Sequence, residues 1–230
     1  FELDELLQLS QDNKPLFINP MTIGVIPTIG PYLLPKVLPE VRRQQPTFKL
    51  KIIEEQSQVL VDMVRSGDID AAILALPFPI EGLMHFDFWQ EDFYWITHTE
   101  DTFTTHRNTK HDHIESDDID PTQLMLLKDG HCLKEHALSA CQLQPSQTNQ
   151  ILGSSSLNTL IQMVAGKMGT TFIPEMALNS LVLNSHELCA MHLNEPSPHR
   201  RIAFITRPNY AGVGNIERLM KMFRDDLTNV

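Results

Sequence analysis

Asp70-Ala-Ala-Ile-Leu-Ala-Leu76 decides the fold. A nearly unbroken apolar run of this length marks a strand buried on both faces, as in a parallel sheet. Upstream, Leu16–Val25 reads as a strand, followed by a helix running to about Gln45. Phe48–Gln56 reads as a second strand, and Gln58–Ser66 as a helix ended by Gly67, with Leu60, Met63 and Val64 inward. The order β-α-β-α-β predicts a doubly wound α/β sheet.

Downstream, the aromatic-rich Met84–Thr97 predicts one strand, and Glu100–Asp120, with few apolar residues, a long exposed loop. Short strands are expected at Gln123–Leu127, Thr170–Ile173 and Glu187–Leu193, and helices at Leu157–Ala165 and Pro174–Leu181. Ser154, Ser155 and Ser156 are expected to cap the first of these helices. Arg200–Thr206 predicts the last strand and 213–227 the last helix, with Ile216, Leu219, Met220 and Phe223 inward. The second β-α run thus interrupts the first. The expected fold is α/β with two doubly wound, Rossmann-like subdomains: 17–94 plus 202–230, and 95–201. Residues 1–16 are expected to be the end of a linker helix. Ligands of such paired units bind in the cleft between them.

The 230 residues carry 18 basic and 29 acidic side chains, a formal net charge of −11. Such a surface is a poor partner for nucleic acid or anionic membrane. No apolar run reaches the ~18 residues of a membrane span. Three cysteines are too few for a disulfide scaffold and point to a reducing, cytoplasmic setting. No cofactor is expected. His111 and His113 lack a second pair of ligands nearby, so no metal is expected either.

Two of the three cysteines lie in Lys-Asp-Gly-His-Cys-Leu-Lys-Glu-His-Ala-Leu-Ser-Ala-Cys, residues 128–141. From Leu133 onward this reads as helix, with Asp129 and Gly130 as start signals. Cys132 then falls in the first turn, where the helix dipole favours negative charge. His131 and Lys134 add positive charge nearby, so a thiolate is expected. Nine helical residues advance ~13.5 Å and turn ~900°, which puts Cys132 and Cys141 on opposite faces. A disulfide needs Cα atoms within ~7 Å, so the pair can bond only if the helix melts. That is the sequence of a switch. Set beside it is the commoner reading of a free cysteine, a small buried and inert hydrophobe.

Thr28 and Ser57 occupy equivalent strand-to-helix junctions, where open α/β sheets place ligand contacts. Thr28 could instead cap the helix that follows it. Cys189 lies in an expected strand and reads as structural.

Four stretches carry a family resemblance. Ile-Pro-Thr-Ile-Gly-Pro-Tyr-Leu-Leu-Pro at 26–35 and Asp-Gly-His-Cys-Leu-Lys at 129–134 resemble the OxyR family of peroxide-sensing LysR-type transcriptional regulators. Ser-Ser-Leu-Asn-Thr-Leu at 155–160 and Met-Gly-Thr-Thr-Phe-Ile-Pro at 168–174 are similar to LysR-type effector domains generally. The resemblance covers the chain from about Phe17 and implies a periplasmic-binding-protein-like effector domain. It implies that Cys132 is peroxidatic and Cys141 resolving, with Thr28, Gly130, His131 and Arg200 around the peroxide. A family threonine falls on Ser57, which keeps the hydroxyl. The implied partners are hydrogen peroxide, a second copy in a homodimer (a tetramer in the full-length protein), and DNA and RNA polymerase. DNA would be met through an N-terminal helix-turn-helix domain that is absent from this chain.

An unperturbed thiol is about 3% thiolate at pH 7. Full ionisation therefore contributes at most roughly 30-fold to its reaction with peroxide, and faster reaction requires positioning. Three readings follow: a stoichiometric redox sensor, an effector domain holding a small organic ligand with Ser154–Ser156 as anion holders, and a thiol peroxidase that turns over.

Overall fold

The computed structural model describes residues 16–101, 113–148, 153–154, 156–183 and 185–228. The expected linker helix, His111 and Ser155 lie outside the described residues, Leu16 apart. Strand β1 (Met21–Val25) leads to helix α1 (Gly30–Gln44), β2 (Leu50–Glu54), α2 (Ser57–Ser66) and β3 (Ala71–Leu76). Strands β1 and β2 pair in parallel, as do β1 and β3. Every residue of β3 is buried, as its apolar run requires. Gly67 ends α2 at φ +88°, and its N–H closes onto Met63 and Val64 carbonyls. A left-handed cap of this kind favours glycine because it has no Cβ.

Met84–Thr97 is two strands. β4 (Met84–Glu91) joins the first sheet, and β5 (Phe93–His98) founds a second. Continuous aromatic texture hides the break, because both halves are sheet-forming and only Asp92 separates them. The second sheet orders β6 (His113–Ile114), β10 (Leu188–Leu193), β5 and β9 (Thr171–Pro174). Its β10–β5 and β5–β9 pairs are antiparallel. Strand β11 (Arg200–Thr206) returns to the first sheet, antiparallel to both β3 and β4, in the order β2-β1-β3-β11-β4. In the second sheet β6 pairs with β10 in parallel, so both of the larger sheets are mixed.

The expected exposed loop carries β6 and a 3₁₀ turn at Ser116–Asp118, and it buries Ile114 and Ile119. Two isolated isoleucines are too weak a periodic signal to announce a strand. Likewise Pro121–Gln123 is a 3₁₀ turn, and β7 is only Leu126–Leu127, parallel to β8 (Gly153–Ser154).

Helices α3 (Cys132–Ala140), α4 (Leu157–Ala165), α5 (Leu178–Leu181) and α6 (Val213–Thr228) complete the chain. Ser156 sits at the N-cap of α4, but its side chain makes no cap bond; its N–H instead reaches Ser154 Oγ at 3.1 Å. Helix α6 buries Ile216, Leu219, Met220 and Phe223, and also Met222 and Leu227. Among the described residues, no helix is long and apolar enough to cross a membrane, and no group of three or more His, Cys, Asp or Glu residues is placed to hold a metal.

Candidate functional site around Cys132

Arg200 opens β11 directly opposite Glu91, the last residue of β4. Directly paired strand residues project to the same side of a sheet. The guanidinium and the carboxylate consequently meet: Arg200 Nε donates to Glu91 Oε1 at 2.8 Å, and Nη2 lies 2.7 Å from the same oxygen. Both side chains are fully buried. Glu91 Oε2 accepts the N–H of Met176 at 2.9 Å. The rest of the guanidinium turns to Thr28, donating to Oγ1 at 3.2 Å and to its carbonyl at 3.1 Å. The N-cap of α1 is Ile29, with no side-chain cap bond. Thr28 is therefore a partner of Arg200 and not a cap.

Cys132 stands at the first position of α3, preceded by His131 at the N-cap. Gly130 has φ +95°, and a Cβ there would come within 2.5 Å of the Gln56 side chain. Gln56 in turn is the N-cap of α2, whose first residue is Ser57. The close approach of Gly130 to Gln56 brings the starts of α2 and α3 together. Ser57 is buried and hydrogen-bonds the Cys132 sulfur.

The thiol is not poised as a thiolate in this conformation. Burial pushes Cys132 up; the Ser57 hydrogen bond, the charge of Arg200 and a hydrogen bond from the Ala75 backbone pull it back only in part. The two cations expected from the sequence act elsewhere. Lys134 Nζ lies 2.6 Å from Asp129, and burial holds the His131 imidazole below its ordinary value, towards the neutral form. The positive charge at Cys132 comes from Arg200, a residue distant in sequence.

Cys141, at the C-cap of α3, is also buried, and burial aided by Glu195 pushes its thiol up to about 12. All three cysteines are thiols, and Cys189 lies half-buried in β10 opposite Thr97. One further side chain fixes the redox helix. His136 Nε2 bonds the Pro77 carbonyl at 2.8 Å, at the end of β3. Burial lowers its pKa to about 4, with Arg200 adding to the effect and the Pro77 bond opposing it.

Thr28, Ser57, Gly130, His131, Cys132 and Arg200 thus converge, from four separate stretches of chain. Glu91, Gln56 and His136 belong to the same assembly, and sequence reasoning missed all three. A lone glutamate ending an otherwise apolar-rich strand was the available signal for Glu91.

The LysR substrate binding domain profile matches residues 19–228. The HTH-type transcriptional regulator EstR of Acinetobacter baylyi is 35% identical over 206 residues, covering 90% of this chain and 66% of that protein. A probable hydrogen peroxide-inducible genes activator of Streptomyces viridosporus is 30% identical, covering all of this chain and 72% of that protein. Among solved structures, a cysteine-to-serine mutant of OxyR from Corynebacterium glutamicum, bound to hydrogen peroxide, superposes with a TM-score of 0.84. It is 26% identical and covers 98% of this chain and 72% of that one.

Proposed function

From the premise that this chain belongs to the LysR substrate binding domain family, we propose that it is the regulatory domain of a hydrogen peroxide-sensing transcription regulator. The observation that carries the reading is the convergence of Ser57 and Arg200 on the Cys132 sulfur, with a second thiol nine residues on in the same helical segment.

The chemistry is a displacement on oxygen. The Cys132 sulfur attacks one peroxide oxygen, the O–O bond breaks, and the thiol proton leaves with the second oxygen as water. Thr28, Ser57, His131 and the Gly130 backbone form the surround of the peroxide, and Arg200 stabilises the departing oxygen. The Cys132 sulfenic acid then condenses with the Cys141 thiol, releasing a second water and forming the disulfide. Helix α3 unwinds to allow it. The sensor reacts once per cycle and is reset by a cellular thiol system. It works in the cytoplasm as a homodimer, or as a tetramer when full-length, and meets DNA and RNA polymerase through a helix-turn-helix domain outside this chain.

One observation favours a second reading. Burial pushes both thiols up, which suits an effector domain that binds a small organic ligand in the cleft and leaves its cysteines unreacted. Mass spectrometry of tryptic peptides before and after peroxide separates the two. A sensor gives one internal Cys132–Cys141 disulfide at one equivalent of peroxide. No disulfide supports the ligand-binding reading, and continued peroxide consumption in the presence of a reductant means a peroxidase.

A further inference from the structure

Glu91 has no place in the expected surround of the peroxide; it acts on Arg200, which has one. Among the described residues it is the closest partner of Arg200, the cation that acts on the thiol. Its carboxylate takes Nε and Nη2 of Arg200, while Nη1 donates to the Thr28 hydroxyl and Nη2 also to the Thr28 carbonyl. Its other oxygen is fixed by the Met176 N–H. The pair is fully buried, so solvent does little to screen it.

We propose that Glu91 governs the reactivity of Cys132 through Arg200: the carboxylate holds the guanidinium in place and cancels most of the charge that it would otherwise present to the sulfur. An isolated buried cation acts on a neighbouring thiol as a full charge, whereas a cation paired at 2.7 Å acts as a dipole whose field falls off faster. Glu91 is therefore a brake. It keeps Cys132 a thiol at rest and so sets how much peroxide is needed before the sensor responds. Arg200 remains available to the leaving oxygen, where charge develops only during the reaction. This assignment rests on the peroxide-sensing reading above.

The geometry also fixes the sign of the effect. Loss of a positioning residue ordinarily slows a reaction. Loss of the Glu91 charge leaves Arg200 in place through Thr28 and frees its field, so the thiolate is favoured and the thiol becomes more reactive.

The test uses Glu91→Gln in a Cys141→Ser, Cys189→Ser background, where Cys132 is the sole thiol. Ultraviolet thiolate absorbance against pH gives its pKa without peroxide, and stopped-flow oxidation gives its rate. Glu91→Gln is expected to lower the pKa by about one unit or more and to raise the rate at pH 7 roughly threefold to tenfold. Glu91→Asp keeps the charge but withdraws it by one methylene, and should fall between parent and Glu91→Gln. If Glu91→Gln does not fold, as judged by circular dichroism, Glu91→Asp decides alone by the same sign. An unchanged or higher pKa in the folded variant overturns the proposal. If the pKa falls but neither parent nor variant reacts with peroxide, the electrostatic assignment stands and the sensing reading fails.

Discussion

Arg200 holds Thr28 twice, once through the hydroxyl and once through the backbone carbonyl, from a different strand. The carbonyl bond survives any side-chain change, so the hydroxyl can be removed without releasing the guanidinium. Thr28→Val should therefore slow Cys132 oxidation about tenfold, some 1.4 kcal/mol of barrier, while the thiol pKa barely moves. Stopped-flow oxidation at a fixed thiolate fraction measures this. An unchanged rate would make Thr28 a purely structural partner of Arg200.

Arg200 and Glu91 form a buried pair with no solvent exposure. Removing one partner leaves the other charged and uncompensated. Arg200→Met should cost about 3–5 kcal/mol of stability, far more than an exposed pair such as Arg65–Asp62. Urea denaturation at pH 7 gives the difference directly. A cost below about 1 kcal/mol would mean that the site relaxes or hydrates.

His136 predicts a pH dependence. Its folded pKa, about 4, lies below the unfolded value near 6.5. Between these values the unfolded chain binds more protons than the folded one, so stability rises with pH across the window. The contribution is complete above about pH 6.5, falls as pH drops, and is gone below about pH 4; it amounts to roughly 3 kcal/mol. His136→Gln, which retains a donor for Pro77, should flatten that part of the stability–pH curve. Equal slopes for both proteins would show that His136 is not the titrating group.

The proposed switch exchanges one interaction for others. Closing the short loop from Cys132 to Cys141 is worth about 2–3 kcal/mol. Unwinding α3 withdraws the buried Leu133 and Leu138, at a similar or larger cost. The oxidised state is thus expected to be readily reduced, with faster amide exchange across 130–141 than in the thiol form. Cys141→Ser should still form a sulfenic acid at Cys132 but fail to lock the new conformation. A full conformational change in that variant would show that the disulfide is not the latch.

The first sheet was readable because its signals are local. The run at 71–76 is apolar throughout, and Gly67 announces the end of α2. The second sheet was harder to read. Its entry is hidden inside one aromatic stretch, and β6 is a two-residue edge strand. At the site, the residues nearest in sequence to Cys132 were found, yet their charges were assigned wrongly. Lys134 prefers an exposed aspartate at hand, whereas Arg200 arrives through sheet pairing, which no local spacing encodes.

The chain passes between its two sheets by a single residue, Asp92, on the way out, and by six residues, 194–199, on the way back. One residue offers two soft dihedrals. Asp92 is itself held: its carboxylate accepts from Ser197 Oγ at 2.6 Å and from the His199 N–H at 3.3 Å, and it meets His192 at 2.9 Å. The outgoing and returning strands are thereby riveted side by side, and Glu91 and Arg200 are the next residues along each. Turning one sheet against the other about this crossing would first have to break the Asp92 bonds to Ser197, His199 and His192.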